Sequence, residues 1–339
     1  MTELEKVTAY GNIYLYSLIV PIISVSGIFL SYFNQQKRYK LLISNGINPV
    51  KAANIIFNIP EVTKPNLLII IGSIFFVIFT LLVGTSKMAL SQEIVFVGSF
   101  MIILFLLFKL SNELDANAKK MLIGTAIIIF VFRAMPGVGQ GGSWFEIDVL
   151  GFDQEFLSLL GLIASFLTIL GIFVLRPLME KSSMTRLIVI LSIAGSFFIL
   201  PSIAMFYGFH EFTSKLTNGL VDARFIAIFN TALESPLGQV SMIPILAWIA
   251  QSAPNHLKAT FFAVLASFTN LALSASNLGT KYLNQIYVIT REVKNDLGII
   301  KTPADYSELG ILLIIVCALT LIIPILVTYI VKKLKLLSY

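Results

Sequence analysis

The sequence predicts an all-α polytopic membrane protein of about nine transmembrane helices, and three observations predict it. Hydrophobic residues fill 57% of the 339 positions and charged residues only 12%, where an ordinary soluble domain carries about a quarter charged. Mean hydropathy is +0.90. Apolar runs near or beyond about 18 residues, each able to cross a hydrocarbon core of about 30 Å as a helix, recur along the whole chain. No water-soluble fold hides that much apolar surface, so the lipid bilayer is the expected partner.

The predicted spans are 11–33, 66–85, 91–110, 119–138, 155–176, 186–207, 222–250, 257–280 and 309–331. The first follows MTELEKVTAY, which is polar and acidic where a signal peptide is basic, and no small-residue cleavage pattern comes after it. It reads as a retained helix. The connection 34–65 holds an amphipathic piece near NPVKAANIIF. The fourth span breaks at the proline of FRAMPGVGQGG, and the fifth and sixth flank a short basic loop with Arg176 and Arg186. In the seventh, Pro236 and Pro244 each remove a backbone hydrogen bond and should kink the helix. The polar segment 281–308 is expected to be a solvated loop or a short surface helix.

The formal charge is +6, but Lys and Arg are scattered through short loops instead of forming a stripe, which argues against nucleic acid as a partner. Counted on alternate sides of the predicted spans, about 15 basic residues fall on the side of the C-terminus and about 8 on the other. The C-terminus is then cytoplasmic and the N-terminus outside. Usage rich in Ile and Lys points to an AT-rich bacterial genome and hence to the cell's inner, cytoplasmic membrane. One cysteine, Cys317, and two separated histidines, His210 and His256, supply no ligand set for zinc, haem or an iron–sulfur cluster, so neither metal nor cofactor is expected. The glycine stretch from Gly137 lacks the Lys-Ser/Thr of a phosphate loop. With no buried Ser-His-Asp or two-carboxylate constellation either, an enzyme is not expected.

Three motifs occur in order from about residue 119 to 331. They are FRAMPGVGQGGSWFEIDVLGFDQEFLSLLG, LVDARFIAIF followed by QVSMIPILAWIAQSAP, and HLKATFFAVLASFTNLALSASNLG. Together they resemble the C-terminal six-helix half of the folate-biopterin transporter family, a branch of the major facilitator superfamily. The chain departs from the family's pattern in two places. GIFVLRPLMEKSSMTR keeps Gly171, Arg176 and Arg186 without the acidic residue in place, and Lys258 stands where the family commonly has an acid. The resemblance implies a major-facilitator-like, N-terminally incomplete fold: an N-terminal helical bundle of about three spans over 1–118 and a six-helix bundle over 119–339. It also implies a secondary active transporter of a small organic solute, folate or an anionic pterin, working by alternating access with proton coupling. The alternatives from other classes are a truncated, non-transporting paralogue and a membrane-embedded interaction subunit.

Polar groups near the bilayer midplane are the candidate site, because a solute must exchange its hydration shell for protein partners there. Arg133 lies about 21 Å into the 119–138 helix and Glu234 about 18 Å into the 222–250 helix, counting about 1.5 Å per residue. Two unpaired charges at that depth are costly, so the expectation is that they pair or share a water-filled cavity. In the functional reading Arg133 binds an anionic group and Glu234 takes a proton; in the other they form a structural ion pair. Asn230 and Gln239 share the helix of Glu234, and Asn270 lies near Ser267, Ser274 and Asn277 on the next. These amides either read a heterocycle's edge or bond neighbouring helices. Trp144 either stacks on a ring or anchors the chain at the membrane interface.

Overall fold

The computed structural model describes residues 3–57, 67–86, 88, 90–252, 258–295 and 300–336. It divides into two compact units, Met1–Pro65 and Asn66–Tyr339.

In the first unit, α1 (Glu3–Ser17) and α2 (Ile19–Ser44) follow one another, and Gly11–Ser44 is apolar and long enough to cross a membrane. The chain leaves α2 through Gly46, whose φ of +82° only glycine adopts without strain. Asn48 then caps α3 (Pro49–Phe57), its Oδ1 accepting from the Val50 N–H at 2.9 Å. Pro49 takes the first helical position, where its missing N–H is not needed. The Tyr39 and Phe57 rings meet at 5.4 Å between α2 and α3, and Ala52 of α3 is buried. The amphipathic piece is thus a helix packed back on its predecessor.

The second unit carries α4 (Leu67–Gly84), α5 (Ser91–Ser111), α6 (Ala116–Arg133), α7 (Gln140–Asp148), α8 (Gln154–Val174), α9 (Arg176–Lys181) and α10 (Met184–Phe206). It continues with α11 (Phe209–Leu216), α12 (Ala223–Glu234), α13 (Gly238–Ser252), α14 (Lys258–Ile286) and α15 (Leu309–Lys333). Asp115, Asp153, Ser183 and Asp222 cap α6, α8, α10 and α12 by accepting from backbone N–H groups three residues on. The most extensive packing is α10 on α15, where Ser196 and Cys317 each donate to the other's carbonyl, at 3.2 and 3.4 Å. Leu106, Ile129, Ile188, Ile249 and Leu265 join five helices in the largest apolar core. Facing outward, α8 exposes Leu162, Phe166 and Phe173, an apolar surface suited to lipid. The helices α4 and α5, expected in an N-terminal bundle, pack on each other and, through α5, on α14.

The all-α polytopic class holds. Among the described residues, six helices are by themselves long and apolar enough to cross a membrane. The expected span 66–85 is α4, with a described apolar run of only Ile70–Gly84. The span expected over 119–138 stops at Arg133, because Pro136 disfavours helix before it. The span expected over 222–250 is split by a tight turn of 3-10 helix at Ser235–Leu237, where Pro236 has no N–H to continue the ladder. The other proline, Pro244, lies inside α13, which continues through it. The segment 281–308 is neither a plain loop nor a surface helix: it contains an antiparallel pair, β1 (Val293–Lys294) with β2 (Ile300–Thr302), and a bridge between Thr290 and Asp305.

Candidate functional site

The turn pattern of α14 builds the site. Ser267, Asn270, Ser274, Asn277, Lys281 and Asn284 recur at alternating steps of three and four, which places them on one helical face. That face lines a cavity of about 1080 Å³, at the upper end of the roughly 300–1,000 Å³ typical of small-molecule sites. The opposite walls come from Phe76 and Thr80 of α4 and from Gln92, Phe96 and Ser99 of α5. A smaller adjoining cavity of about 470 Å³ shares Phe76, Ile103 and Ser267 with the first and runs on along α14 to Ala259 and Thr260. Together they follow nearly the full length of α14.

At one end the large cavity is bordered by α7 and the chain that leads to it. Ser276 donates to the Met135 carbonyl at 2.6 Å, and the Gly137 N–H donates to the Thr280 hydroxyl at 2.8 Å. Asn284 donates to the Val138 carbonyl at 3.1 Å. These bonds satisfy the backbone where α6 has ended and α7 not yet begun. Gly139 is required twice over: its φ is +77°, and a Cβ there would stand 2.9 Å from the Asn284 side chain. The Trp144 ring lines the cavity from α7.

Outside the spans, the strand pair is clamped to α7. Arg291 donates from Nε and Nη2 to both oxygens of Asp148 at 2.9 and 2.7 Å, and Tyr306 donates to Asp148 Oδ2 at 2.7 Å. The guanidinium and then the phenol hold the Asp148 carboxyl below its ordinary range, with burial opposing them weakly. Burial first, and then the Asp148 carboxylate, push Tyr306 up to about 12. Beside them Glu146 lines a cavity of about 190 Å³ otherwise walled mainly by apolar groups such as Phe145, Met205 and Leu313. Burial pushes its carboxyl up.

Of the residues singled out from sequence, Asn270 and Trp144 meet at the large cavity, with Ser267, Ser274 and Asn277. Arg133, Asn230 and Glu234 do not line it. The expected pairing of Arg133 with Glu234 is not formed: Arg133 donates to the Met242 sulfur at 3.0 Å, its buried Nε is without a partner, and Glu234 has no ion-pair partner among the described residues. The depths assigned to both assumed continuous helices, whereas α6 ends at Arg133 and α12 ends at Glu234. Asn230 donates to the Phe198 carbonyl of α10 at 3.3 Å, a bond between helices. The Gln239 side chain lies outside the described part of the structure.

Lys281, Asn284, Thr280 and Gln92 also line the cavity and were not singled out. The three-and-four spacing of α14, extended one turn further, carries the signal for Lys281 and Asn284. Ending that helix at residue 280 put them in a loop.

Comparison with known proteins adds three findings. A family model described as the BT1 family matches residues 109–338, from the end of α5 through α15. The chain is similar to a folate-biopterin transporter of Synechocystis sp., 21% identical over 154 residues. That alignment covers 45% of this chain and only 30% of the relative's own length. No solved structure matches the chain.

Proposed function

Since the chain belongs to the BT1 family, we propose that it carries a small organic solute across a membrane by alternating access, with folates and pterins the first solutes to test. The observation that supports this most directly is the polar face of α14 along the cavity. Asn270 and Asn277 line it with no side-chain hydrogen bond among the described residues, so their donors and acceptors are available to a solute. The Trp144 ring and the Phe76 and Phe96 rings supply flat apolar surface on which a heterocycle can stack. Transport needs such a site because binding groups on one wall must replace a solute's water without trapping it.

In this reading the C-terminus is cytoplasmic, following the distribution of basic residues, and solute entering from outside meets the Lys281 end of the cavity first. Proton coupling is part of the proposal. Glu234 is the group assigned to it, as a carboxyl within the α12–α13 segment that has no counter-ion among the described residues. Arg133 and Asn230 then act around the cavity's motion and not on its wall.

The test is uptake of radiolabelled folate and of biopterin into liposomes holding the purified chain. Accumulation above empty liposomes is expected, and it should fall about tenfold in Asn270→Ala, an energetic loss of about 1.4 kcal/mol. An inward proton gradient should raise it in the wild type and not in Glu234→Gln. Uptake no greater than in empty liposomes removes the carrier reading and favours a non-transporting membrane subunit.

A further inference from the structure

We infer that Glu93 and Lys281 form an exchangeable ion pair, in which Lys281 is the cavity's anion-binding group and Glu93 the resident carboxylate that an entering anionic solute displaces. The inference rests on the reading of the cavity as a solute path. Among the described residues, Lys281 is the only ionised one lining that cavity. Its Nζ lies 2.6 Å from Glu93 Oε1, and the Tyr282 hydroxyl donates to the same oxygen at 2.8 Å. The second carboxylate oxygen, Oε2, is buried with no partner. A charge held through one oxygen while the other has lost its water is an incompletely satisfied counter-ion.

Access decides which of the two a solute meets. The Lys281 side chain is 33% exposed and that of Glu93 18%, and Lys281 stands on the cavity wall while Glu93 does not line it. A carboxylate arriving from the cavity therefore reaches the ammonium before it could meet the acid. Lys281 continues the row of Asn270 and Asn277, so an anionic tail and a neutral ring can be held on one face of α14 at once. Because Glu93 belongs to the first turn of α5, exchanging it for a solute anion also removes the ion pair between α5 and α14 at this end, leaving the Tyr282 bond alone to hold them there. Loading and loosening are then the same event.

A fixed brace between α5 and α14 is the competing reading, and binding to the full chain in detergent separates the two. The probes are folate, which carries carboxylates, and biopterin, which carries none. Lys281→Gln should weaken folate about tenfold and leave biopterin within about twofold. Glu93→Gln should tighten folate, the resident competitor being gone. If both variants weaken both solutes alike, the pair is a brace and the inference is overturned.

Should the wild type bind neither solute, the transport reading fails by itself, and the ion pair is judged separately with Asn277→Cys as reporter in a Cys317→Ser background. Maleimide should label that cysteine about fivefold faster with Glu93→Gln, since each tenfold corresponds to about 1.4 kcal/mol. The reciprocal change, Glu93→Lys with Lys281→Glu, should restore the slow rate. Sulfate as a simple anion should raise labelling in the presence of Lys281 and not in Lys281→Gln. Rates unmoved by these changes overturn the exchange.

Discussion

The segment from α12 to α13 and the helix α14 are comparable in length and hydropathy, yet they use their polar residues in opposite ways. α14 runs unbroken over Lys258–Ile286, and most of its polar groups fall in one row along a cavity, with only those near its end, Ser276, Thr280 and Asn284, also bonding the chain between α6 and α7. Pro236 breaks the other segment, and its polar groups serve the break and the neighbours: Ser235 donates to the Thr231 carbonyl, Thr168 of α8 donates to the Ser235 carbonyl at 2.9 Å, and Asn230 bonds α10. An intact ladder satisfies its own backbone and leaves side chains to face a solute. A broken ladder recruits them for itself.

The largest effect is expected where the broken segment meets α8. A Cβ on Gly171 would stand 2.4 Å from the Pro236 carbonyl oxygen and 2.5 Å from its Cα, both backbone atoms. Gly171→Val should therefore cost about 3 kcal/mol or more by overpacking, seen as a lowered melting temperature and loss of monodisperse protein. A variant of unchanged stability would mean that the turn is free to move away from α8.

A middle-sized effect separates the two rows of amides. Asn270→Ala should cost about tenfold in solute affinity with little change in stability. Asn230→Ala should do the reverse, losing about 0.6 kcal/mol of stability and leaving affinity alone. If the two variants behave alike, the contrast between intact and broken helices does not hold.

The smallest effect concerns the clamp beyond both segments. The folded-state pKa of Asp148 is depressed, so its contribution is complete above the ordinary carboxylate range and is lost as pH falls through the lowered value. Tyr306 is raised to about 12. Its contribution is complete below about pH 10, the ordinary phenol value, and is lost as pH rises towards 12. The hydrogen-exchange protection of β1 and β2, corrected for the intrinsic pH dependence of exchange, should thus be flat near neutrality and fall at both extremes. Tyr306→Phe should abolish the alkaline limb and keep the acid one.

Sequence carried some of this and not the rest, for reasons that can be named. Apolar run length was enough to place the helices and the all-α class, and three motifs over 119–331 anticipated the family matched over 109–338. The face with Ser267, Asn270, Ser274 and Asn277 was legible because its period is that of the helix. Arg133 and Glu234 were placed at mid-membrane by counting along helices that Pro136 and Pro236 cut short. Glu93 was invisible as a partner of Lys281, since nothing local connects residues on α5 and α14. That pairing exists only after packing.

The contact at Gly171 has one more consequence. Where two backbones touch with no side chain between them, there is no compliant layer to absorb sliding. The α8 strut and the Pro236 elbow must tilt as one lever arm, and whatever fulcrum the protein uses has to lie elsewhere along the chain.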